Sequence, residues 1–477
     1  MQSDVLLELT TPNDACLSPP LTLAPLLGEE LRRLLQDPQT SLAALTQQYG
    51  SPLNVVVPQA LAGNVERLRT VFRRHGVTHE IFYGAKVNKS PALVRAAVDA
   101  GVGVDVSSIY EMRDALHAGI EPRSLCATGP AKTRVFHMAL VANRALISVD
   151  SVEELDDIEA IAREVQPEQP VRVLLRYKPA DSRASRFGLE QAQLFYLLKR
   201  LVYLKNKISF EGFHFHLAGY RHELRVAALT QLVPLVEAAR EMGLNPAMID
   251  IGGGLPVRYV DQEHYRACLE GQNPTHYRNA SVPRSFYPYG GAIDAATWLD
   301  RLLASPCING LSVAGYLKSQ QLTLAIEPGR SLADQAALSV FRVTRVKSLA
   351  DNEAVIFAEG SSFSACETWF GSEFLIDPQH VPLSDAPRRQ SRPVRAWVAG
   401  HSCLDEDVIS NRLIEFSVYP HAGDLLVYAN TAGYQMDLLE NEFHRHPMPR
   451  RIAAMFDARG QMTFSPDDRM EERHDFE

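Results

Sequence analysis

Eight short apolar runs in the first two-thirds of the chain constrain its fold more than any other feature. The runs are rich in branched residues, and segments with helical periodicity separate most of them. Strands that alternate with helices in this way pair in parallel. Eight such units over roughly 250 residues are typical of an α/β fold, the closed (β/α)8 TIM-type barrel. The runs are Ile81–Ala85, Val102–Val106, Leu125–Thr128, Leu146–Val149, Val171–Leu175, Gly212–His216, Met248–Ile251 and Leu322–Ile326.

The segments between the runs carry helix signals. Ser90 and Pro91 pair an N-cap residue with a proline suited to the first helical turn. Leu93, Ala96 and Ala97 then fall on one helical face. Similar patterns occupy residues 108–118, 151–164, 190–204 and 223–242.

The pattern changes after Ala337, where apolar strands follow one another without helices between them. This arrangement predicts a separate, mainly antiparallel β domain. A chain of 477 residues is long enough for two such domains. The predicted strands are Ser339–Val346, Ala354–Ala358, Val394–Ala399, Leu413–Tyr419 and Asp424–Ala429.

We therefore expect three parts in the chain. Residues 1–57 form an N-terminal segment that partly joins the β domain, residues 58–338 form the barrel, and residues 339–477 form the C-terminal β domain. A polar and aromatic insertion at about 259–317 separates the last two barrel strands. A connection of this length is a lid, a binding loop or a small inserted subdomain, and the sequence leaves these three alternatives open.

Composition excludes several classes of function. The net charge is −9 and the basic residues form no stripe, which argues against nucleic-acid binding. The six cysteines are scattered without zinc spacing, so we expect reduced thiols, no metal site and a cytoplasmic location. The N-terminus lacks a secretory signal pattern, and no apolar stretch is long enough to span a bilayer.

Polar residues with chemical potential follow the predicted barrel strands, at the end where such barrels carry their active sites. Each has an ordinary explanation alone: a lysine after a strand is usually solvated, and a glycine run is often a turn. The prediction of a site rests on their occurrence at successive strand ends. They are Lys86, Asp105, Ser107, Arg176, His216, Gly252, Gly253, Gly254, Glu327 and Arg330.

His214 and His216 alternate along one predicted strand and face the same side. A pair of histidines on one face is a conceivable metal site. The sequence offers no third ligand nearby. We therefore prefer the interpretation that no metal is bound.

Short motifs now identify a resemblance that covers residues 51–450. Together they resemble the fold-type III pyridoxal-phosphate decarboxylases, which include the diaminopimelate, ornithine and arginine decarboxylases and share the alanine-racemase-like barrel. Each motif is short, but the ordered set is specific. The motifs are Phe82–Asn88, Gly103–Ser108 with Glu111, Ser185–Gly188, His214–His216, Ile249–Gly254, Glu327–Arg330, Gly400–Cys403, Gly423–Leu426 and Ala432–Tyr434.

The resemblance implies a role for each matching residue. Lys86 carries pyridoxal 5'-phosphate as a Schiff base, Glu327 faces the pyridine nitrogen, and His216 stacks on the ring. Cys403 enters the active site of a partner subunit and protonates the product there, so the working unit is a homodimer with shared sites. The phosphate is held by Gly252, Gly253, Gly254, Gly329, Arg330 and Tyr434. Asp105, Glu111 and Arg176 form a supporting polar network.

Departures from the family concentrate at the substrate end. Leu404 stands where the family has an acidic residue, and Asp405 and Asp407 follow it. Glu367 lies where diaminopimelate decarboxylases hold the substrate's distal carboxylate. Gly219 replaces a serine near the cofactor. We therefore predict an amino-acid decarboxylase that does not prefer diaminopimelate, with Asp405, Asp407 and Glu367 near the substrate.

Two alternatives remain. One is a pyridoxal-phosphate-dependent racemase or epimerase, against which Glu327 argues, because alanine racemases place an arginine at the ring nitrogen. The other is a non-catalytic cofactor-binding homologue. Lys86, Glu327 and Cys403 argue against the second alternative, whereas Leu404 keeps it open.

Overall fold

A computed structural model describes residues 22–180, 185–362, 372–373, 376–383, 393–437 and 448–467. The strands are β1 (Leu53–Val56), β2 (His79–Gly84), β3 (Gly103–Val106), β4 (Leu125–Ala127), β5 (Leu146–Val149), β6 (Val171–Arg176), β7 (Ile208–His214), β8 (Met248–Asp250), β9 (Ser285–Phe286), β10 (Pro306–Ile308), β11 (Leu311–Ser312), β12 (Thr323–Ile326), β13 (Ala337–Ser348), β14 (Glu353–Ala358), β15 (Ser372–Glu373), β16 (Gln379–Val381), β17 (Val394–Ala399), β18 (Val408–Phe416), β19 (Leu425–Ala429), β20 (Arg450–Phe456) and β21 (Met462–Pro466).

The helices are α1 (Glu29–Leu34), α2 (Pro38–Tyr49), α3 (Gln59–His75), α4 (Pro91–Asp99), α5 (Ile109–His117), α6 (Arg134–Ala142), α7 (Val152–Val165), α8 (Gln191–Leu204), α9 (His222–Glu241), α10 (Gln262–Glu270), α11 (Ala295–Ala304) and α12 (Val313–Ser319). None of these described helices combines the length and the apolar character needed to cross a membrane.

The barrel is closed by eight parallel strands in the order β12-β2-β3-β4-β5-β6-β7-β8. These are the eight strands predicted from the apolar runs, so the predicted fold is confirmed. Small and large side chains alternate at the barrel interior: a Cβ at Gly103 would lie 2.5 Å from the Phe82 ring, which fills that space. The interior cluster consists of Phe82, Cys126, Leu146, Leu174, Met248 and Ala325.

Short connections lead from β2, β3, β4 and β5 to α4, α5, α6 and α7, and these helices begin with strong N-caps. The hydroxyls of Ser90, Ser108, Thr133 and Ser151 accept hydrogen bonds from the backbone at the starts of α4, α5, α6 and α7. Such caps each stabilise a helix by about 1 kcal/mol. They fix where each helix begins, and so they hold the carboxyl ends of the strands at one face of the barrel.

The second domain is a mainly antiparallel sheet, as predicted. Its five predicted strands correspond to β13, β14, β17, β18 and β19. β1 lies between β13, to which it is antiparallel, and β20, to which it is parallel. The N-terminal part of the chain therefore contributes a strand to this sheet.

The insertion divides into two parts with different neighbours. In its first part, Tyr259, Tyr265 and Tyr289 share a buried cluster with Phe341 and Ile356 of the β domain. In its second part, α11 lies against α3 and α9 in the outer layer of the barrel. The first part therefore joins the two domains, while the second part completes the helical layer.

Candidate active site

Lys86 lies immediately after β2, in a one-turn 3-10 helix formed by Ala85–Val87. Ala85 and Val87 are buried, and the Lys86 side chain keeps 39% of its surface exposed. Its Nζ is 3.3 Å from Oδ2 of Asp105 at the end of β3. The Asp105 carboxylate raises the pKa of Lys86 above its usual value. The lysine is therefore held as an accessible ammonium group.

Two further carboxyl groups lie nearby, Asp250 at the end of β8 and Glu327 just after β12, and both are buried. Burial raises the pKa of Asp250 to about 7. Burial also raises the pKa of Glu327 well above its usual range, and the neighbouring Asp250 and Asp105 carboxylates raise it further. Two acids that are close and buried do not both ionise, so this pair retains a proton.

Both histidines of β7 and its end face Glu327. His214 Nε2 is 3.3 Å from Glu327 Oε1, and His216 Nδ1 is 3.9 Å from Glu327 Oε2. Burial and then the Lys86 charge lower the pKa of His216 to about 3. Burial likewise lowers the pKa of His214 well below its usual value. Both imidazoles are therefore neutral.

Hydrogen bonds fix the orientation of each imidazole. His214 Nδ1 is 2.7 Å from Ser148 Oγ on β5. His216 Nδ1 accepts a hydrogen bond from the Gly253 N–H at 3.3 Å. Because Nδ1 of neutral His216 is an acceptor, its proton resides on Nε2. The ring of His216 is thus held beside the glycine run in a single tautomer.

His214 is surrounded by more possible metal ligands than the sequence indicates. One atom each of His214, Asp250 and Glu327 lies within 4.8 Å of the other two, so further ligand types are present. Metal ligands must be deprotonated. A metal ion at this position would therefore have to displace a proton, since the pKa values of Asp250 and Glu327 are raised.

The glycine run after β8 needs glycine for steric reasons. Gly252 and Gly254 have φ angles of +68° and +81°, which favour glycine. A Cβ at Gly253 would lie 2.7 Å from the Glu327 carbonyl oxygen. A Cβ at Gly252 would lie 2.6 Å from His216 Nδ1. The backbone therefore approaches the site more closely than any other residue type allows.

Arg330 occupies a buried aromatic enclosure beside this run. Its Nη1 donates to the Gly433 carbonyl oxygen at 2.7 Å and to Tyr289 Oη at 3.3 Å. The guanidinium carbon lies 5.0, 5.5 and 5.0 Å from the ring centroids of Tyr287, Tyr289 and Tyr434. Arg330 is thereby fixed by side chains from the insertion and from the β domain.

Tyr434 links the β domain to the turn that carries Lys86. Its N–H donates to the Val87 carbonyl oxygen at 2.9 Å, and its φ of +76° is uncommon for a residue other than glycine. A Cβ at Gly329 would lie 3.4 Å from Tyr434 Oη. Tyr434, Gly329 and Lys86 thus meet at one place.

The residues of the predicted supporting network belong to two separate hydrogen-bonded groups. Arg176 donates to Asp150 Oδ1 at 2.9 Å and to the Thr128 carbonyl oxygen at 3.1 Å, and Thr128 Oγ1 donates to Asp105 Oδ1 at 2.7 Å. Arg176 is therefore connected to Asp105 through Thr128. Glu111 instead pairs with Lys89 and accepts from the Ser107 N–H. Its direct ion pair is with Lys89, whereas the ion pair of Lys86 is with Asp105.

Two of the predicted substrate residues, Asp405 and Asp407, lie in the β domain. Cys403, Leu404 and Asp405 are exposed on the loop between β17 and β18. Asp407 is buried and accepts from the N–H groups of Ser362 and Ser402 at 2.8 and 3.0 Å. Asp407 thus orders this loop, and its contact with substrate stays a prediction. Glu367 lies outside the described residues.

Sequence reasoning missed several residues of the site. The sequence places Asp250 in a motif without indicating a role for it, and it suggests His214 only as a possible metal ligand. Ser148, Thr128 and Arg225 were not singled out. A polar residue inside an apolar strand was the available signal for Ser148 and Asp250, because such residues are buried and need partners.

The arrangement fits pyridoxal phosphate. Glu327 Oε1 and Asp250 Oδ2 are buried without a hydrogen-bond partner among the described residues, as expected of a carboxyl group that awaits a protonated ring nitrogen. A neutral His216, an accessible Lys86 amine and a close glycine backbone next to Arg330 suit the ring, the aldehyde and the phosphate of that cofactor.

Comparisons with known proteins agree with this geometry. The family described as pyridoxal-dependent decarboxylase, pyridoxal binding domain, matches residues 62–276. The uncharacterized protein y4yA of Sinorhizobium fredii is 54% identical over 446 residues, which cover 93% of this chain and 96% of that protein. The L-glutamyl-(BtrI acyl-carrier protein) decarboxylase of Niallia circulans is 24% identical over 432 residues, covering 87% of this chain and 91% of that protein.

A solved structure shows the same fold. Diaminopimelate decarboxylase from M. jannaschii, in complex with L-lysine, superposes with a TM-score of 0.68 at 18% identity, covering 89% of this chain and 91% of that chain. At this identity the likeness concerns the barrel and the β domain.

Proposed function

Since the chain belongs to the fold-type III pyridoxal-phosphate-dependent decarboxylases, we propose that it removes the α-carboxylate of an amino acid other than diaminopimelate. One observation carries the proposal: the accessible Lys86 amine lies at the same end of the barrel as the buried Glu327 carboxyl, whose Oε1 has no hydrogen-bond partner among the described residues. The proposed cofactor ligands are Lys86, Asp105, Arg176, His216, Gly252, Gly253, Gly254, Glu327, Gly329, Arg330 and Tyr434.

Bound pyridoxal phosphate supplies an electron sink for the electron pair left when carbon dioxide departs. Glu327 would hold the proton of the ring nitrogen, with His214 and Asp250 beside its carboxyl group. His216 would cover one ring face as a neutral imidazole. Asp105 holds the Lys86 ammonium group in place through Oδ2 while Thr128 donates to its other oxygen.

Glu327 also favours decarboxylation over racemisation. A carboxyl group at the ring nitrogen favours a protonated ring and a strong electron sink. Neither neighbouring group, His214 or Asp250, places a positive charge at that position. This environment supports decarboxylation over the racemase alternative.

We propose that Cys403 acts in the site of a second chain. Its thiol is exposed in the single chain, on a loop that Asp407 anchors through Ser362 and Ser402. Such a loop is rigid enough to present a proton donor to a neighbouring subunit. The proposed working unit is a homodimer with two composite sites.

Charge at the loop supports the proposed substrate class. Leu404 is 42% exposed and offers no ion pair, while Asp405 beside it is exposed and acidic. Burial of a substrate carboxylate without a cationic partner costs several kcal/mol. We propose a substrate whose distal end is an amine, is neutral, or is masked. One relative acts on an L-glutamyl group joined to a carrier protein, so masked glutamyl thioesters belong among the candidates.

The experiment is carbon dioxide release from a panel of amino acids by the full-length protein. The panel contains ornithine, lysine, larger amine-ended derivatives, a glutamyl thioester and meso-diaminopimelate. Lys86→Ala is the control for background release. A kcat/KM for meso-diaminopimelate above all the others would contradict the proposed substrate class. Racemisation without carbon dioxide release would support the racemase alternative instead.

A further inference from the structure

Arg225 is a fully buried arginine in the first turn of α9. Its Nη2 donates to the carbonyl oxygens of Leu217 at 2.6 Å, Gly219 at 2.8 Å and Gly253 at 3.3 Å. Leu217 and Gly219 follow His216, and Gly253 belongs to the glycine run. One guanidinium group therefore joins the loops after β7 and β8.

Arg225 has no acidic partner among the residues that the structure describes. In the described part of the chain no carboxylate forms an ion pair with it, and burial lowers its pKa to about 10. At neutral pH it remains a cation. Its Nε has no hydrogen-bond partner among the described residues, and the Trp298 ring lies 5.8 Å from the guanidinium carbon. A buried cation without an anionic partner is costly unless a ligand supplies the negative charge.

Arg225 also determines the shape of the glycine run. A Cβ at Gly254 would lie 2.3 Å from Arg225 Nη2 and 2.9 Å from the Gly219 carbonyl oxygen. Gly254 therefore leaves room for the guanidinium group directly behind the backbone. Gly219 stands where the resembled family has a serine hydroxyl near the cofactor. Arg225 donates a hydrogen bond to the carbonyl oxygen of this same residue.

We propose that Arg225 is a positioning residue for the phosphate of the cofactor, acting through its positive charge and through the carbonyl groups that it holds. The inference rests on the proposed pyridoxal-phosphate function. It assigns to Arg225 a positive charge near the phosphate, in a region where the serine hydroxyl of the resembled family is missing. Charges interact strongly in a buried environment, so the cation favours a phosphate dianion at the adjacent backbone over a neutral group.

The test compares pyridoxal phosphate with pyridoxal, which lacks the phosphate. Full-length protein is freed of cofactor, and both compounds are titrated by absorbance and by protein fluorescence. The variants are Arg225→Lys, which keeps a charge, and Arg225→Gln, which keeps N–H donors without charge. Arg240→Gln is the matched control, since Arg240 lies on the same helix and donates to the Gln320 carbonyl oxygen at 2.7 Å.

Arg225→Gln is expected to weaken pyridoxal phosphate binding by about 10- to 100-fold, the range of a charge-assisted hydrogen bond. Pyridoxal binding should change little. Arg225→Lys should recover a large part of the loss, and Arg240→Gln should behave as wild type. A purely structural role of Arg225 would instead weaken both compounds alike.

Three results would overturn the inference. The first is an equal loss of affinity for pyridoxal phosphate and pyridoxal. The second is an equal affinity of Arg225→Lys and Arg225→Gln for pyridoxal phosphate. The third is an affinity unchanged from wild type in both variants. If Arg225→Gln does not fold, Arg225→Lys is titrated with both compounds in its place. Its residual loss of affinity should be confined to pyridoxal phosphate, and an equal loss for pyridoxal counts against the proposal. Wild-type protein that fails to bind pyridoxal phosphate would refute the proposed function itself, so the two failures are distinguishable.

Discussion

Replacement of Asp250 by Asn tests the shared proton beneath the cofactor site. Asp250 Oδ1 accepts from the Gly252 N–H at 2.8 Å, and an Asn oxygen can accept the same hydrogen bond. The Asn amide can donate to Glu327, whereas Asp250 has to retain a proton to do so. We expect Asp250→Asn to stabilise the cofactor-free protein, and to do so more at pH 8 than at pH 5.

The magnitude follows from the pKa of Asp250. Burial raises this pKa from its usual value near 4 to about 7. When folding raises the pKa of an acid, the folded protein loses stability as the pH increases from the unfolded pKa to the folded pKa. The reason is that the unfolded chain releases the proton first. One unit of pKa corresponds to about 1.4 kcal/mol. The benefit of Asn should therefore grow by about 2–3 kcal/mol between pH 5 and pH 8.

The assay is urea unfolding of the full-length, cofactor-free protein at several pH values, followed by tryptophan fluorescence. Asp407→Asn is the control, because Asp407 is a buried carboxylate that accepts from Ser362 and Ser402 rather than facing another acid. A difference between Asp250→Asn and wild type that does not change from pH 5 to pH 8 would refute the shared proton.

Three further predictions address the cofactor, the dimer and the fold. Borohydride reduction should attach the cofactor to Lys86, as read by peptide mass analysis, and Lys86→Ala should abolish turnover; an adduct on another lysine would exclude the assignment. Mixed dimers of Lys86→Ala and Cys403→Ala chains should recover part of the activity, and no recovery in verified heterodimers would place Cys403 outside the partner's site. Thr133→Ala should lower the free energy of unfolding by about 1 kcal/mol, because the hydroxyl caps α6 through the Phe136 N–H, with carbon dioxide release unchanged.

The barrel was predictable because its strands carry a strong local signal. Buried parallel strands read as continuous apolar runs, and each run ends in a polar residue or a glycine at the functional face. Lys86, His216 and Glu327 could therefore be placed near one another without any knowledge of tertiary contacts. Their order along the chain is enough, since all eight strands end on the same side.

Long-range pairing explains what the sequence did not reveal. The sequence predicts that residues 1–57 partly join the β domain, but no local pattern identifies the strands with which they pair. β1 pairs with β13 and β20, which lie far along the chain. The same holds for the partners of Glu327. His214, Asp250 and Glu327 are far apart in the sequence, and the pairing of β7 with β8 and of β8 with β12 brings them together.

The contacts divide the site into an end that one chain completes and an end that it leaves open. At the phosphate end, Arg330 is enclosed by Tyr287 and Tyr289 of the insertion and by Tyr434 of the β domain, and every contact is made within the chain. At the substrate end, Leu404 and Asp405 are exposed. We propose that Leu404 and Asp405 contact substrate only where a second chain encloses them. In that proposed dimer, the departure from the family at Leu404 would act across the interface, and substrate selection would depend on dimer formation.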